Sequence, residues 1–432
     1  MLQDTNRRMK DSGIPWVGMI PKDWTIEPIG RNILEVDNPN VGGVETNALQ
    51  FKAGTIISKS KGDSKYHPET LEAYNIVDKG VIMLNGLNLS FDLISQRVGL
   101  VQERGVITSA YLAIKPNNNI DSEYLTYLFK GYDSRKALHS MGKGLRQTLA
   151  YKELKQYSVV YPPLPTQQRI ADFLDRKCAE IDELAALQEK MIEELKRYKQ
   201  SLITETVTKG LDPNAPMKDS GVEWIGEIPE EWVVGRIKYV ATLFGRIGFR
   251  GYSSDDLNKD GIGAITLSPS NMLAMAMDYS HLTYLSWEKY EESPEIMIQN
   301  GDLLMVKTGS SYGKVSYVDN LPQEATINPQ ILRIVPNINS KYLGYQLQTS
   351  SFVFQIECGV VGGTIPTISQ EKINNIFVVV PPLSEQQQIA DYLDRKCAEI
   401  DELIAIKQQK IEALKEYKKS VIFEYVTGKK EI

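Results

Sequence analysis

Asp175-Arg176-Lys177-Cys178-Ala179-Glu180-Ile181-Asp182-Glu183-Leu184 occurs twice in this chain, returning letter for letter as Asp394 to Leu403. Outward from the decapeptide the copies continue upstream. Pro162-Pro163-Leu164 with Gln167-Gln168 matches Pro381-Pro382-Leu383 with Gln386-Gln387. A second repeated motif opens each half. Met9-Lys10-Asp11-Ser12-Gly13, Ile20-Pro21 and Trp24 return as Met217-Lys218-Asp219-Ser220-Gly221, Ile228-Pro229 and Trp232. The closing motifs are offset by 219 residues and the opening ones by 208, so the second half carries the longer filling. The frame is duplicated and the filling is not. Such a frame suits a molecule that presents two different readers on one scaffold.

The decapeptide sits in a long helical pattern. Ile170, Leu174, Ile181, Leu184, Met191, Leu195, Tyr198 and Leu202 follow a 4-3 spacing, with Lys177 and Gln188 breaking the seam. No proline or glycine interrupts 166–208, where Thr166 is placed to cap the start and Gly210 with Pro213 to end it. Such a helix is roughly 65 Å long. The second copy, 385–427, repeats the seam through Ile389, Leu393, Ile400, Leu403, Leu414, Tyr417 and Val421. Its middle is poorer, with Lys396, Lys407 and Lys410 in phase. Two copies of one helix related by a pseudo-two-fold pack antiparallel, each burying the other's stripe. The alternative, ordinary helices of one bundle, fits poorly with lengths several times the average. In the decapeptide, Arg176, Glu180 and Glu183, with Arg395, Glu399 and Glu402, point partly outward. Coil packing alone does not demand identical letters there, and a repeated outer surface suits two copies of one partner. The Ile-Pro and Trp motifs read as packing anchors.

The fillings, 25–150 and 233–370, read as strand-rich mixed α/β domains. Gly80–Leu84 and Asp302–Val306 are bounded as strands are. Tyr111–Ile114 and Ile331–Ile334 each run to a Pro-Asn turn, with short helices at Ser122–Phe129 and Ser340–Leu347. Small, polar and basic stretches stand out as candidate contacts to phosphate and base edges. They hold Lys52, Lys59 and Lys61, then Asn85, Asn88, Arg97 and Arg146 in the first filling. The second offers Arg246, Arg250 and Tyr252 in a glycine-rich run, and Lys307, Ser310, Ser311, Tyr312 and Lys314. A Gly-Ser-Lys loop is more often a solvated turn than a site, so the weight lies in their number.

Bulk properties exclude more than they assign. With 432 residues, 42% hydrophobic and 24% charged, the chain holds two globular domains. No apolar run spans a bilayer, and Met1–Lys10 lacks an apolar signal core, so a cytoplasmic protein without membrane contact is expected. Three cysteines lack metal spacing and three histidines are scattered, so no metal is expected. There is no phosphate loop, nucleophile elbow or Asn/Asp-Pro-Pro-aromatic methyltransferase signature, and hence no catalytic constellation. Residues 25–150 carry fourteen basic against thirteen acidic side chains, and 233–370 ten against twelve, so charge alone does not argue for nucleic acid.

The order of motifs resembles the specificity subunit of type I restriction–modification systems over essentially the whole chain. The Ser-Gly-x-x-Trp-x-Gly-x-Ile-Pro opening, a variable domain, and a Pro-Pro-Leu-x-x-Gln-Gln helix occur, then all of them again. The resemblance implies an α+β fold: two target-recognition domains separated by two long antiparallel coiled-coil helices in a pseudo-two-fold repeat. It divides the chain into an anchor (1–24), a first recognition domain (25–150), a central helical region (151–210), and a linker with the second anchor (211–232). A second recognition domain (233–369) and a C-terminal helical region (370–432) follow. Each domain is expected to read half of an asymmetric bipartite site on double-stranded DNA. The helices act as ruler and as dock for two modification (methyltransferase) subunits, and restriction subunits join the complex. This chain is expected to be non-catalytic and to bind no cofactor; S-adenosylmethionine, ATP and Mg belong to the partners. The competing reading is a tandem adaptor that binds proteins only.

Overall fold

The computed structural model describes residues 7–52, 54–59, 68–89, 96–144, 147–258, 261–359 and 366–432. The chain forms two compact units, 1–189 with 408–432 and 190–407. Two long helices, Leu164–Lys209 and Leu383–Val426, each contribute one half to either unit. They begin two residues before the expected starts. Thr166 and Gln167 both donate their backbone N–H to the Pro163 carbonyl, so Thr166 lies inside the first turn and does not cap it.

Each unit is built on the same four-stranded antiparallel sheet. In the first the order is Ile33–Glu35, Leu112–Pro116, Ile82–Leu84, Val98–Leu100. In the second it is Ala241–Gly245, Ile331–Pro336, Leu303–Val306, Val315–Tyr317. The filling is closed at its base in the same way twice: Thr25–Pro28 pairs with Ser158–Tyr161, and Val233–Arg236 with Phe377–Val380. A short helix then joins sheet to coil. Ser122–Ser134 is capped by Asp121, whose carboxylate accepts from the Tyr124 N–H, and Ser340–Gln346 by Asn339, which accepts from Tyr342. Where the fillings diverge, the first unit has the hairpin Leu49–Lys52 with Thr55–Ser58. Beside it Gly105–Thr108 pairs with Tyr74–Val77 and bridges Ala48 in parallel; in the second unit this minor sheet grows to four strands, with Ala264–Leu267 and Ala325–Ile327 parallel.

Within each unit the two helix halves run antiparallel. In the first, Phe173 stacks on Tyr425 at 4.4 Å, and Lys418 pairs with Asp182 at 2.6 Å. In the second, the equivalent residues pair the other way round, Lys199 with Asp401 at 2.6 Å. The seam differs from the one read in the sequence. Leu174, Ile181, Leu393 and Ile400 are buried as expected. The alternate positions shift by one residue, to Ala171, Cys178 and Ile192, and to Ala390, Cys397 and Ile411. Leu184, Met191, Tyr198, Leu403 and Tyr417 are exposed, and Gln188 is buried. Two stripes one residue apart compete on such a helix, and only the facing surface chooses between them.

The anchors close each unit. Trp24 and Trp232 are 1% exposed and join the cores built on the long helices. Gly428 follows the C-terminal helix with φ 68° and lies against Pro21 and Trp24; Gly210, φ 80°, lies against Trp232 and Pro229. A side chain at either place would meet the anchor in a backbone region that favours glycine. Among the described residues no helix is long and apolar enough to cross a membrane.

Candidate nucleic-acid interface

In the first unit, two loops picked out in the sequence meet at one end of the sheet. Leu149 donates to the Gly86 carbonyl at 2.9 Å and Leu89 to that of Gln147 at 3.2 Å. Lys143 and Thr148 exchange backbone bonds of 3.1 and 3.0 Å. Gly86 must be glycine, because a Cβ would sit 2.3 Å from the Leu149 oxygen. Arg97 is 1% exposed, and its guanidinium donates to the carbonyls of Asn85 (3.0 Å) and Leu87 (2.9 Å). Its backbone N–H donates to Asp133, a buried carboxyl whose pKa burial raises. Arg97 therefore shapes the 85–88 loop from beneath. Asn88, at φ 51°, is exposed on it, and Asn85 is half-buried. The hairpin carrying Lys52 abuts the far end of the same loop, with Gly54 against the Gln96 side chain. Lys52 is exposed and Lys59 half-exposed. Lys61 and Arg146 lie outside the described residues. Gln96 and Lys143 also border this surface; as single polar residues in loops they carried no signal in the sequence.

The second unit repeats the convergence with other residues. Gly309 donates to the Pro366 carbonyl (3.1 Å) and Ile368 to that of Lys307 (3.0 Å), stitching 307–314 to 366–368. Ser310 is exposed, Ser311 and Lys314 are half-exposed, and Tyr312 leans on the core. Lys307 lies beside Gly245, and burial lowers its pKa. The glycine-rich run does not expose Arg246, which is 6% accessible. Its guanidinium donates to the Ile327 carbonyl (3.1 Å), the Thr326 hydroxyl (3.0 Å) and the Arg250 carbonyl (3.3 Å), and it lies over Tyr252. Burial lowers its pKa. Arg250 pairs with Glu295 at 3.5 Å, and the Tyr252 hydroxyl bonds Thr266 at 3.1 Å. All three fix the loop that contains them. Among the described residues Lys52, Lys59, Asn88, Ser310 and Lys314 keep side chains without a hydrogen-bond partner, and these can meet a ligand directly.

The repeated decapeptide can be accounted for residue by residue. Asp175 accepts from the Tyr127 hydroxyl at 2.6 Å and Asp394 from Tyr345 at 2.8 Å. Burial first, and then these bonds, push both tyrosine pKa values up. Cys178 and Cys397 are buried with raised pKa values, and Ile181 and Ile400 fill the seam. Asp182 and Asp401 make the cross-helix ion pairs. Lys177 bonds Glu180 at 2.9 Å and Lys396 bonds Glu399 at 2.7 Å along the same helix, and Ala179 and Ala398 are exposed. The outward side then carries Arg176, Glu180, Glu183 and Leu184, with Arg395, Glu399, Glu402 and Leu403. They are spaced along one face of each helix. Leu184 and Leu403 are each 47% exposed, and the face continues into the exposed Leu187 and Ile406. In the first unit Arg176 and Glu180 rim a recess of about 280 Å³ floored by Phe173, Tyr417 and Tyr425.

Among the described residues no group of His, Cys, Asp and Glu is placed to hold a metal ion. The family model of the type I restriction modification DNA specificity domain matches residues 100–197 and 229–416. The chain belongs to this family. Among similar family members, the MjaVIII specificity subunit of Methanocaldococcus jannaschii is 25% identical over 334 residues, covering 76% of this chain and 75% of that one. The putative MjaX specificity subunit of the same organism is 25% identical over 436 residues, covering 96% and 95%. The fold is shared with a chain solved in work on complex assembly and conformational transition of the type I R-M system. Its TM-score is 0.70 at 15% identity, covering 94% of this chain and 98% of that one. The HsdS subunit from Thermoanaerobacter tengcongensis follows with a TM-score of 0.51 at 16% identity over 95% and 98%.

Proposed function

We propose that this chain is the non-catalytic, sequence-reading subunit of a type I restriction–modification complex in the cytoplasm. Each unit presents its sheet-end loops to one half of an asymmetric bipartite site on duplex DNA. The carrying observation is that one frame, repeated to the level of individual hydrogen bonds, holds reading edges of different composition. Identical edges would read a palindrome; different ones read two unlike half-sites. Lys52, Lys59, Asn88, Ser310 and Lys314 make direct contacts, while Arg97 and Arg246 hold the loops in the shape that reads. The twice-repeated outer face of Arg176, Glu180, Glu183 and Leu184 seats two copies of the modification subunit. That subunit brings S-adenosylmethionine and methyl transfer; restriction subunits add ATP- and Mg-dependent cleavage.

The test is methylation mapping. The chain is co-expressed with its modification subunit in a methylation-free host, and the genome is sequenced for methyl-adenine. The expected result is one asymmetric bipartite motif with a fixed spacer, lost when this chain is omitted. A folded, bound partner that methylates nothing overturns the proposal in favour of the protein-only adaptor.

A further inference from the structure

The hairpin of Leu49–Lys52 and Thr55–Ser58 has two unlike faces. Its register pairs Gln50 with Ile57 and Lys52 with Thr55, so these four side chains share a face. The opposite face sends Leu49, Phe51 and Ile56 into one core cluster. An isolated two-stranded hairpin is marginal in water, and this inner face holds it in place. The outer face shows the reverse. Lys52 and Thr55 are exposed, and Ile57 is 39% exposed. Among the described residues the Gln50 amide and the Lys52 and Lys59 ammonium groups have no side-chain partner. Gln50 and Lys59 rim a recess of about 210 Å³ beside Thr108 and Tyr111, which leaves their polar ends unpacked.

We infer that this ribbon enters the major groove and is the base-reading element for one half-site, with Gln50 reading an adenine, Ile57 meeting a thymine methyl and Lys52 fixing the phosphate register. The inference rests on the function proposed above and adds the residues that set specificity. A major groove admits a two-stranded ribbon, and a glutamine amide matches the donor and acceptor on the adenine edge. Two uncompensated lysines at the ribbon's ends supply the charge complementarity that the unit as a whole lacks. After the equivalent parallel strand the second unit has only the short hairpin Met272–Leu273 with Ala276–Met277, of other composition, so the effect belongs to one half-site alone.

The test uses the full chain with its modification subunit, mapping methyl-adenine for wild type, Gln50→Leu, Ile57→Ser and Lys52→Ala. Gln50→Leu is expected to relax one A·T position in one half-site, with cognate methylation slowed about tenfold or more. The other half-site and the spacer stay unchanged. Lys52→Ala weakens cognate and random DNA alike and lowers the salt slope by about 1. Wild-type motif and rate in both Gln50→Leu and Ile57→Ser overturn the ribbon assignment while leaving the proposed function intact. No methylation by wild type overturns the proposed function and the ribbon with it. Loss of all methylation in Gln50→Leu supports the assignment if its melting temperature is unchanged. If that temperature falls, Ile57→Ser, at an already exposed position, decides.

Discussion

Trp24 and Trp232 fill equivalent places, yet only one has its indole N–H satisfied. Trp232 Nε1 donates to Glu385 at 2.6 Å, whereas the buried Trp24 Nε1 has no partner. The residue in register with Glu385 is Thr166, too short to reach. Thr166→Glu is therefore expected to add about 1 kcal/mol, and Glu385→Thr to remove a similar amount, by denaturant unfolding. A second mismatch lies where the recognition domains meet the coil. Lys341 pairs with Asp394, but the equivalent Glu123 faces Asp175. Burial, and then the Asp175 charge, raise the Glu123 pKa. The unfolded chain loses this proton at lower pH than the folded one. Stability therefore falls as pH rises from the unfolded value of Glu123 to its raised folded value, and stays lower above it. Glu123→Gln should melt with wild type near pH 3.5 and about 1–2 °C above it at pH 7, a small gain because the site is partly solvated.

The long helices are read best as a matched pair. Asp182 with Lys418 and Asp401 with Lys199 fix one antiparallel register, and the buried seam keeps its heptad phase through both units. A heptad added to one helix alone disturbs that register. A heptad added to both, after Glu189 and after Lys407, preserves it and lengthens the pair by about 10 Å. The expected outcome in methylation mapping is a spacer about three base pairs longer with both half-sites unchanged. Altered half-site sequences would mean that the helices do more than measure distance.

At the scale of the whole chain, each unit joins segments far apart in sequence. Residues 7–24 and 408–432 share one unit, where Lys429 donates to the Val17 carbonyl at 2.7 Å and Tyr124 bonds the carbonyls of both Val160 and Val426. Tyr342 does the same to Val379 and Val207 in the other unit. In the first unit residues 17–24 lie against 428–429, the place that 210 and 229–232 hold in the second. A chain opened within 211–215, with residue 432 joined to residue 7 by a flexible linker of about ten residues, should keep its melting temperature within about 2 °C and its methylation motif. A lost motif would show that continuity between the halves matters beyond packing.

The duplicated frame was legible in the sequence because repetition survives any ignorance of contacts. Identical decapeptides and Trp anchors point to equivalent places in two copies of one frame, and the strands around Met83 and Met305 and the helices after Asp121 and Asn339 form where local pattern puts them. The coil's inner face was legible only to within one residue. Leu184 and Cys178 are equally compatible with a heptad, and the facing helix buries the cysteine. Loop chemistry was least legible. Arg97 and Arg246 have the composition of ligand-binding residues, but the number of unpaired carbonyls around them is a property of the folded chain. Those carbonyls claim both guanidinium groups. The sequence by itself determined two copies of one scaffold. Only the tertiary structure decided which side chains the scaffold consumes and which it leaves facing outward, because a buried polar group must find its partner before a surface can offer one.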